Sequence, residues 1–223
     1  MIASAVTLKP DCTLGLATGD SPIGTYGYLA DWFINGYLDF SRAAAFNLDE
    51  YKGLAPDAEQ GYRRFMRENL FSKINMPEGN IHIPDGLAKD TDAECSGYEE
   101  AIRRFGGIDL QLLGIGANGH IGFNEPAGAF VADTHLTDLT ENTIDANSRF
   151  FDRREDVPTQ AYTMGIRTIM SARKIVLIAT GVKKAAIVKL AFFGGITPEV
   201  PASVLQLHGD FTLIGDEAAL SLI

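Results

Sequence analysis

Between Asp109 and Pro126 the chain reads DLQLLGIGANGHIGFNEP, and this stretch restricts the possible folds more than any other. Leu110 to Leu113 is a largely apolar run, the pattern of a strand covered on both faces. Gly114, Gly116, Gly119 and Gly122 follow at once. They break helix and ladder alike, so the backbone turns tightly and can approach a ligand closely. Asn118, His120, Asn124 and Glu125 lie inside that turn, and Pro126 closes it. Groups that donate, accept or move protons are thus set just past a doubly covered strand. Ligands in open α/β sheets bind at the carboxyl ends of strands, so the stretch reads as an active-site loop. Two plainer readings compete with this one. Gly114, Gly116 and Gly119 satisfy the dinucleotide spacing G-x-G-x-x-G, but that fingerprint needs a helix to open at the third glycine, and HIGFNEPAG does not favour one. His120 could also be a structural histidine in a turn.

Other segments repeat the order of strand, small-residue loop and helix. Thr13 to Ala17 reads as a strand, followed by Thr18-Gly19-Asp20-Ser21-Pro22 and a helical stretch from about Ile23 to Asn35. Ser21 suits an N-cap and Pro22 the first helical position. The same loop reads equally as a phosphate cradle of free N–H groups before a helix N-terminus. Ala43 to Leu48 is a second covered strand with Asp49-Glu50-Tyr51 at its carboxyl end. An Asp-Glu pair in a loop is ordinarily solvated; its place at a strand end gives it a second, functional reading. Gly61 to Phe71 has helical spacing, and Tyr62, Phe65 and Met66 are assigned to the core. Ile81 to Ile83 is a short strand or turn with a structural His82, and Thr91 to Phe105 an amphipathic helix that Gly106-Gly107 ends.

Beyond the glycine loop, His135 to Leu139 has the pattern of a short strand, and Arg149 is the cation of the run Asn147-Ser148-Arg149-Phe150-Phe151. Ala161 to Ala172 is expected to be one helix, Lys174 to Ala179 a covered strand, and Val182 to about Phe193 a helix. Lys183 and Lys184 then occupy that helix's first turn, where the dipole favours anions. A bound phosphate would remove the conflict; plain solvation is the alternative. A turn at Val204 to His208, with a capping or core histidine, and a strand at Phe211 to Ile214 complete the chain. Strands alternating with helical patterns argue for an α/β sandwich with a mainly parallel sheet.

The 223 residues suffice for one domain, and no linker-like stretch divides them. A net charge of −10 argues against a nucleic-acid or anionic-membrane surface. Local cations would have to overcome that field if the substrate is an anion. Cys12 and Cys95 form no CxxC pair, which fits thiols in a reducing compartment. With neither a signal peptide nor an apolar run of membrane length, a cytoplasmic location is expected.

Taken together, LGLATGDSP, FNLDEY, GIGANGHIGFNEP, ANSRFF and TGVKKA resemble the glucosamine-6-phosphate deaminase family, in the family's motif order and over nearly the whole chain. The resemblance implies a single-domain, three-layer α/β sandwich with a Rossmann-like sheet. It implies conversion of D-glucosamine 6-phosphate and water to D-fructose 6-phosphate and ammonium, in amino-sugar breakdown, without cofactor or catalytic metal. In that scheme Asp49 is the general base that moves a proton from C2 to C1. His120 opens the pyranose ring with Glu125 and Asn118 beside it. Thr18, Gly19, Ser21, Arg149 and Lys184 hold the 6-phosphate, with Arg149 in a segment that serves relatives as a lid. The implied partner is a small sugar phosphate, with neither nucleic acid nor membrane, and the implied assembly a monomer or small homo-oligomer.

The chain departs from the family pattern in three places. Asp20 stands where relatives commonly carry Gly or Ser. Asn118 stands where some carry Asp, which would leave Glu125 as the histidine's carboxylate partner. The family's first strand and most of its first helix are missing. At its other end the chain resembles the short, non-allosteric type. 6-Phosphogluconolactonases, with GHTASLFP in place of GHIGFNEP, and non-catalytic sugar-phosphate sensors are the competing readings. Galactosamine 6-phosphate, the C4 epimer, is an alternative substrate.

Overall fold

A computed structural model describes residues 1–223. In chain order the elements are α1 (Ile2–Leu8), β1 (Thr13–Leu16), α2 (Ile23–Ile34), β2 (Ala44–Asn47), β3 (Asp49–Tyr51), α3 (Tyr62–Asn69), β4 (Ile81–His82) and α4 (Thr91–Arg104). They continue with β5 (Leu110–Leu113), β6 (His135–Asp138), α5 (Glu141–Asn147), β7 (Gln160–Thr163), α6 (Ile166–Met170), β8 (Lys174–Ala179), α7 (Ala185–Phe193) and β9 (Phe211–Gly215).

Six strands form one parallel sheet in the order β4-β2-β1-β5-β8-β9. Its central strands are buried on both faces, which is why they read as apolar runs rather than as alternations. The pleat divides their side chains between two cores. Leu14, Leu16, Leu110, Leu112 and Val176 join Tyr26, Leu29, Met66 and Leu70 on the side of α1, α2 and α3. Phe46, Leu113, Ile175 and Leu177 face the other way, onto Tyr98, Ile102, Ile169 and Val188 of α4, α6 and α7. These are the three layers expected. No helix is long and apolar enough to cross a membrane.

A second, three-stranded antiparallel sheet, β3-β7-β6, was not foreseen. At Leu48 the chain passes from β2 in the large sheet to β3 in the small one. The expected single helix over Ala161 to Ala172 is therefore wrong. Gln160–Thr163 is the central strand of the small sheet, paired with both β3 and β6, and only Ile166–Met170 is helical. Gly165 separates the two. A Cβ there would lie 2.3 Å from the carbonyl oxygens of Ala132 and Asp133, so the chain crosses that segment only as glycine.

Two of the plainer readings also fail. Ser21 does not cap α2: the helix opens after Pro22 with no side-chain cap bond. Asp49 and Glu50 lie in a strand and are each 5% exposed, so they are not a solvated loop pair. His82 is structural, stacked on Phe46 at 4.2 Å between ring centroids. His208 ties its turn to the segment after α6, with Nε2 2.8 Å from the Ala172 carbonyl oxygen.

Candidate active site

Four neighbouring strands of the parallel sheet, β2, β1, β5 and β8, end at one cavity of about 610 Å³. The loop Ala17 to Ser21 follows β1, Asp49 follows β2, the glycine loop follows β5, and Thr180 and Lys184 follow β8. Carboxyl ends of adjacent parallel strands carry their connections to the same edge, which makes this the place for a ligand in such a sheet. Asn142, Thr143, Ala146, Asn147 and Arg149, from α5 and the turn after it, form the outer wall. Of the residues singled out from the sequence, Thr18, Gly19, Ser21, Asp49, Asn118, His120, Arg149 and Lys184 line this cavity. Glu125 does not; it stands behind His120 with its side chain 8% exposed.

The glycine loop folds back on itself. The Gly116 N–H donates to the His120 carbonyl oxygen at 2.9 Å, and the imidazole packs on Gly116 so closely that a Cβ there would sit 2.3 Å from ring atoms. Asn124 anchors the far side by donating from Nδ2 to the carbonyl oxygens of Ile121 and Met164, at 2.9 and 2.8 Å. Its role is therefore to hold the loop rather than to meet a ligand.

Glu125 gathers three neighbours. Asn118 Nδ2 donates to Oε2 at 2.7 Å, the Thr143 hydroxyl donates to Oε1, and His120 Nδ1 lies 3.4 Å from Oε2. That last distance is long for a hydrogen bond but close enough for charge to be felt, and such contacts are often loose before a ligand is bound. Burial on its own would raise the Glu125 carboxyl. The imidazole, Thr143 and Asn118 more than offset that and bring it down to about 2. Glu125 is thus the imidazole's only carboxylate neighbour, and Asn118 enters the group as a donor to it.

Asp49 has the opposite environment. Its Oδ1 is buried with no hydrogen-bond partner. Burial, with the Glu50 charge second, drives its carboxyl up to about 8. The Glu50 carboxylate also lies buried, which pushes it up, but three backbone N–H groups, of Tyr51, Tyr62 and Arg63, hold it back. A carboxylate poised near neutrality and facing a cavity can exchange a proton with a bound molecule.

The cations lie across the cavity. Lys184 is half-buried, and desolvation moves its ammonium below the usual lysine range. Its Nζ donates to the Ile115 carbonyl oxygen at 2.6 Å and has no carboxylate partner. Arg149 pairs with Asp20 at 2.7 Å. Two lining residues, Tyr62 and Thr143, were not picked out from the sequence. The helical spacing around Tyr62 reads as core, and nothing in the local pattern around Thr143 shows that it reaches Glu125. No three His, Cys, Asp or Glu side chains converge as a metal-binding group.

Known proteins resemble the chain over nearly its whole length. The family model described as glucosamine-6-phosphate isomerases/6-phosphogluconolactonase matches residues 1–213. A glucosamine-6-phosphate deaminase of Lachnoclostridium phytofermentans is 56% identical over 96% of this chain and 91% of its own length. One of Halothermothrix orenii is 54% identical over 100% of this chain and 92% of its own. A solved monomeric glucosamine-6-phosphate deaminase superposes with a TM-score of 0.96 at 43% identity, covering 100% of this chain and 92% of the other. The 6-phosphogluconolactonase of Thermotoga maritima shares the fold, with a TM-score of 0.72 at 22% identity over 96% of this chain and 90% of its own. The chain belongs to the glucosamine-6-phosphate deaminase family.

Proposed function

We propose that the protein converts D-glucosamine 6-phosphate and water to D-fructose 6-phosphate and ammonium, by an aldose–ketose isomerisation followed by loss of the amine. The observation that carries this reading is the pairing of two opposed carboxyl environments at one site, Asp49 in the cavity wall and Glu125 behind His120. Asp49 is held near neutrality and Glu125 is held ionised beside His120. Two carboxyls driven apart in this way take separate acid–base roles.

His120, with Glu125 behind it to stabilise its charged form, moves the proton needed to open the pyranose ring. Asp49, once ionised, takes the C2 proton of the open-chain sugar and returns a proton to C1. Loss of the C2 proton leaves an enolamine, the proton delivered to C1 turns it into an imine at C2, and water hydrolyses that imine to the ketone with release of ammonium. The phosphate is read by the N–H groups and hydroxyls of Thr18 to Ser21 together with Lys184 and Arg149. Desolvation of Lys184 strengthens its attraction for a bound dianion, because the field at a half-buried charge is less screened. A solved deaminase that this chain resembles is monomeric, which supports a catalytic monomer here.

The test is to supply glucosamine 6-phosphate and measure both ammonium and fructose 6-phosphate. Asp49→Asn should lose at least 10²–10⁴-fold in turnover, about the range that general-base help supplies. It should also lose solvent-deuterium exchange at C1 of fructose 6-phosphate in the presence of ammonium. Normal exchange in a folded Asp49→Asn protein would remove Asp49 from the mechanism.

A further inference from the structure

Asp20 stands on the cavity wall, in the loop assigned to phosphate, yet the chemistry above gives it no role. Its side chain is 64% exposed, so solvation alone would satisfy it. Instead its Oδ2 accepts a hydrogen bond from Arg149 Nη2 at 2.7 Å, a link between residues 129 positions apart in the chain. Arg149 is also 61% exposed and rests its guanidinium on the Phe150 ring, 4.5 Å from the centroid. The guanidinium assigned to the substrate's phosphate therefore already holds an anion. That anion sits in the same loop whose N–H groups would meet the phosphate.

We propose that Asp20 is a resident competitor for the phosphate site. Its carboxylate holds Arg149 over the cavity mouth and must release it when a phosphate binds, which makes Asp20 a specificity-determining residue. This rests on the phosphate-binding role given above to Arg149. A carboxylate carries one negative charge and a phosphate monoester nearly two at neutral pH, and both accept paired bonds from guanidinium. The dianion therefore displaces the carboxylate where a neutral sugar or a monoanion does not. Because both partners are exposed, the pair is weak and easily exchanged. Asp20 thus lowers by a modest factor the affinity of a ligand that must take Arg149 from it, and leaves a ligand that does not engage Arg149 unaffected.

The experiment is a double-mutant cycle read by calorimetric titration with inorganic phosphate, using the parent, Asp20→Asn, Arg149→Ala and the double variant. Both side chains lie at the surface, so each variant is expected to fold. Asp20→Asn should tighten phosphate binding about two- to tenfold, the scale of an exposed ion pair plus relief of repulsion. In the Arg149→Ala background the same change should give less than half of that gain on a logarithmic scale. KM for glucosamine 6-phosphate should fall with the phosphate Kd. An unchanged or weaker Kd in Asp20→Asn, or an equal gain with Arg149 absent, would overturn the proposal; so would a lack of phosphate binding by any variant. Ammonium release by the parent is measured separately. Its absence beside an intact cycle would sink the deaminase reading alone, and its presence beside a failed cycle would sink this inference alone.

Discussion

Asp49 and Glu125 are the same functional group, both nearly buried, and their surroundings move them in opposite directions. Around Asp49 there is burial and a second carboxylate, and no donor reaches Oδ1. Around Glu125, donors and an imidazole outweigh burial. Asp49 must lose its proton before it can act as a base, so kcat/KM for glucosamine 6-phosphate should rise with pH until about 8. Lys184 must keep its proton to hold phosphate, and its lowered position brings the decline at high pH in earlier than an ordinary lysine would. The expected profile is a bell, read from initial rates across pH. Lys184→Ala should cost about ten- to a hundredfold in kcat/KM, the loss of one charge-assisted bond of roughly 1.5–3 kcal/mol. Glucosamine without phosphate should hardly notice the substitution. A flat profile from pH 6 to 9 would argue against Asp49 as the group that titrates.

At the scale of elements, the parallel sheet was legible in the sequence because burial on both faces leaves a local trace: short apolar runs bounded by Gly, Asp and Pro. The small sheet was not. Its central strand, Gln160–Thr163, owes its conformation to pairing with Asp49–Tyr51 and His135–Asp138, both remote in sequence. Read locally, its residues merge with the helical pattern of Ile166–Met170. The boundary is Gly165, whose reason is also non-local: the Ala132 and Asp133 carbonyls press on its Cα. Their segment is held there by bonds from the Ile166 and Arg167 N–H groups to Val131 and Ala132. The candidate site divides the same way. Its strand-end residues could be found from the sequence, whereas Tyr62 and Thr143 enter it only through the placement of α3 and α5. Gly165→Ala must therefore displace backbone, and overpacking of that kind costs about 1–3 kcal/mol or more. In a chain of this size that lowers Tm by roughly 2–10 °C. Gly128→Ala, with nothing within 4 Å of the new methyl group, should leave Tm nearly unchanged. Equal melting of the two variants would show that the crossing at Gly165 is not tight.

Across the whole molecule, carboxylates in different surroundings have opposite effects on stability. At the amino end of β5, Asp109 accepts from the Thr13 N–H at 2.8 Å and pairs with Lys9 and Arg173 at 2.8 and 2.9 Å. Burial would raise it, but these partners hold it below the usual range. Asp109 and Glu125 thus stabilise the fold wherever the unfolded chain's carboxylates are ionised, and that contribution fades as acid protonates them, for Glu125 down to about pH 2. Asp49, at the carboxyl end of the sheet like Glu125, does the reverse. Between its ordinary 3.8 and about 8, the folded protein keeps a proton that the unfolded chain has released, so each step up in pH favours unfolding. Burial drives Glu50 in the same direction. Self-repulsion adds to the alkaline loss, since the net charge reaches −10 at pH 7 and vanishes near pH 4.8. Tm should therefore peak near pH 5 and fall on both sides. Asp49→Asn, which removes the group that ionises at a cost, should raise Tm at pH 8 and much less at pH 5, flattening the alkaline limb while leaving the acid limb in place. The size of that gain is on the order of a few kcal/mol, since one pKa unit corresponds to about 1.4 kcal/mol. Calorimetric melts of parent and variant at low protein concentration, from pH 3 to 9, measure both curves. A parent whose Tm climbs from pH 5 to 8, or a variant that tracks it throughout, would mean that the buried Asp49 carboxyl carries no such cost.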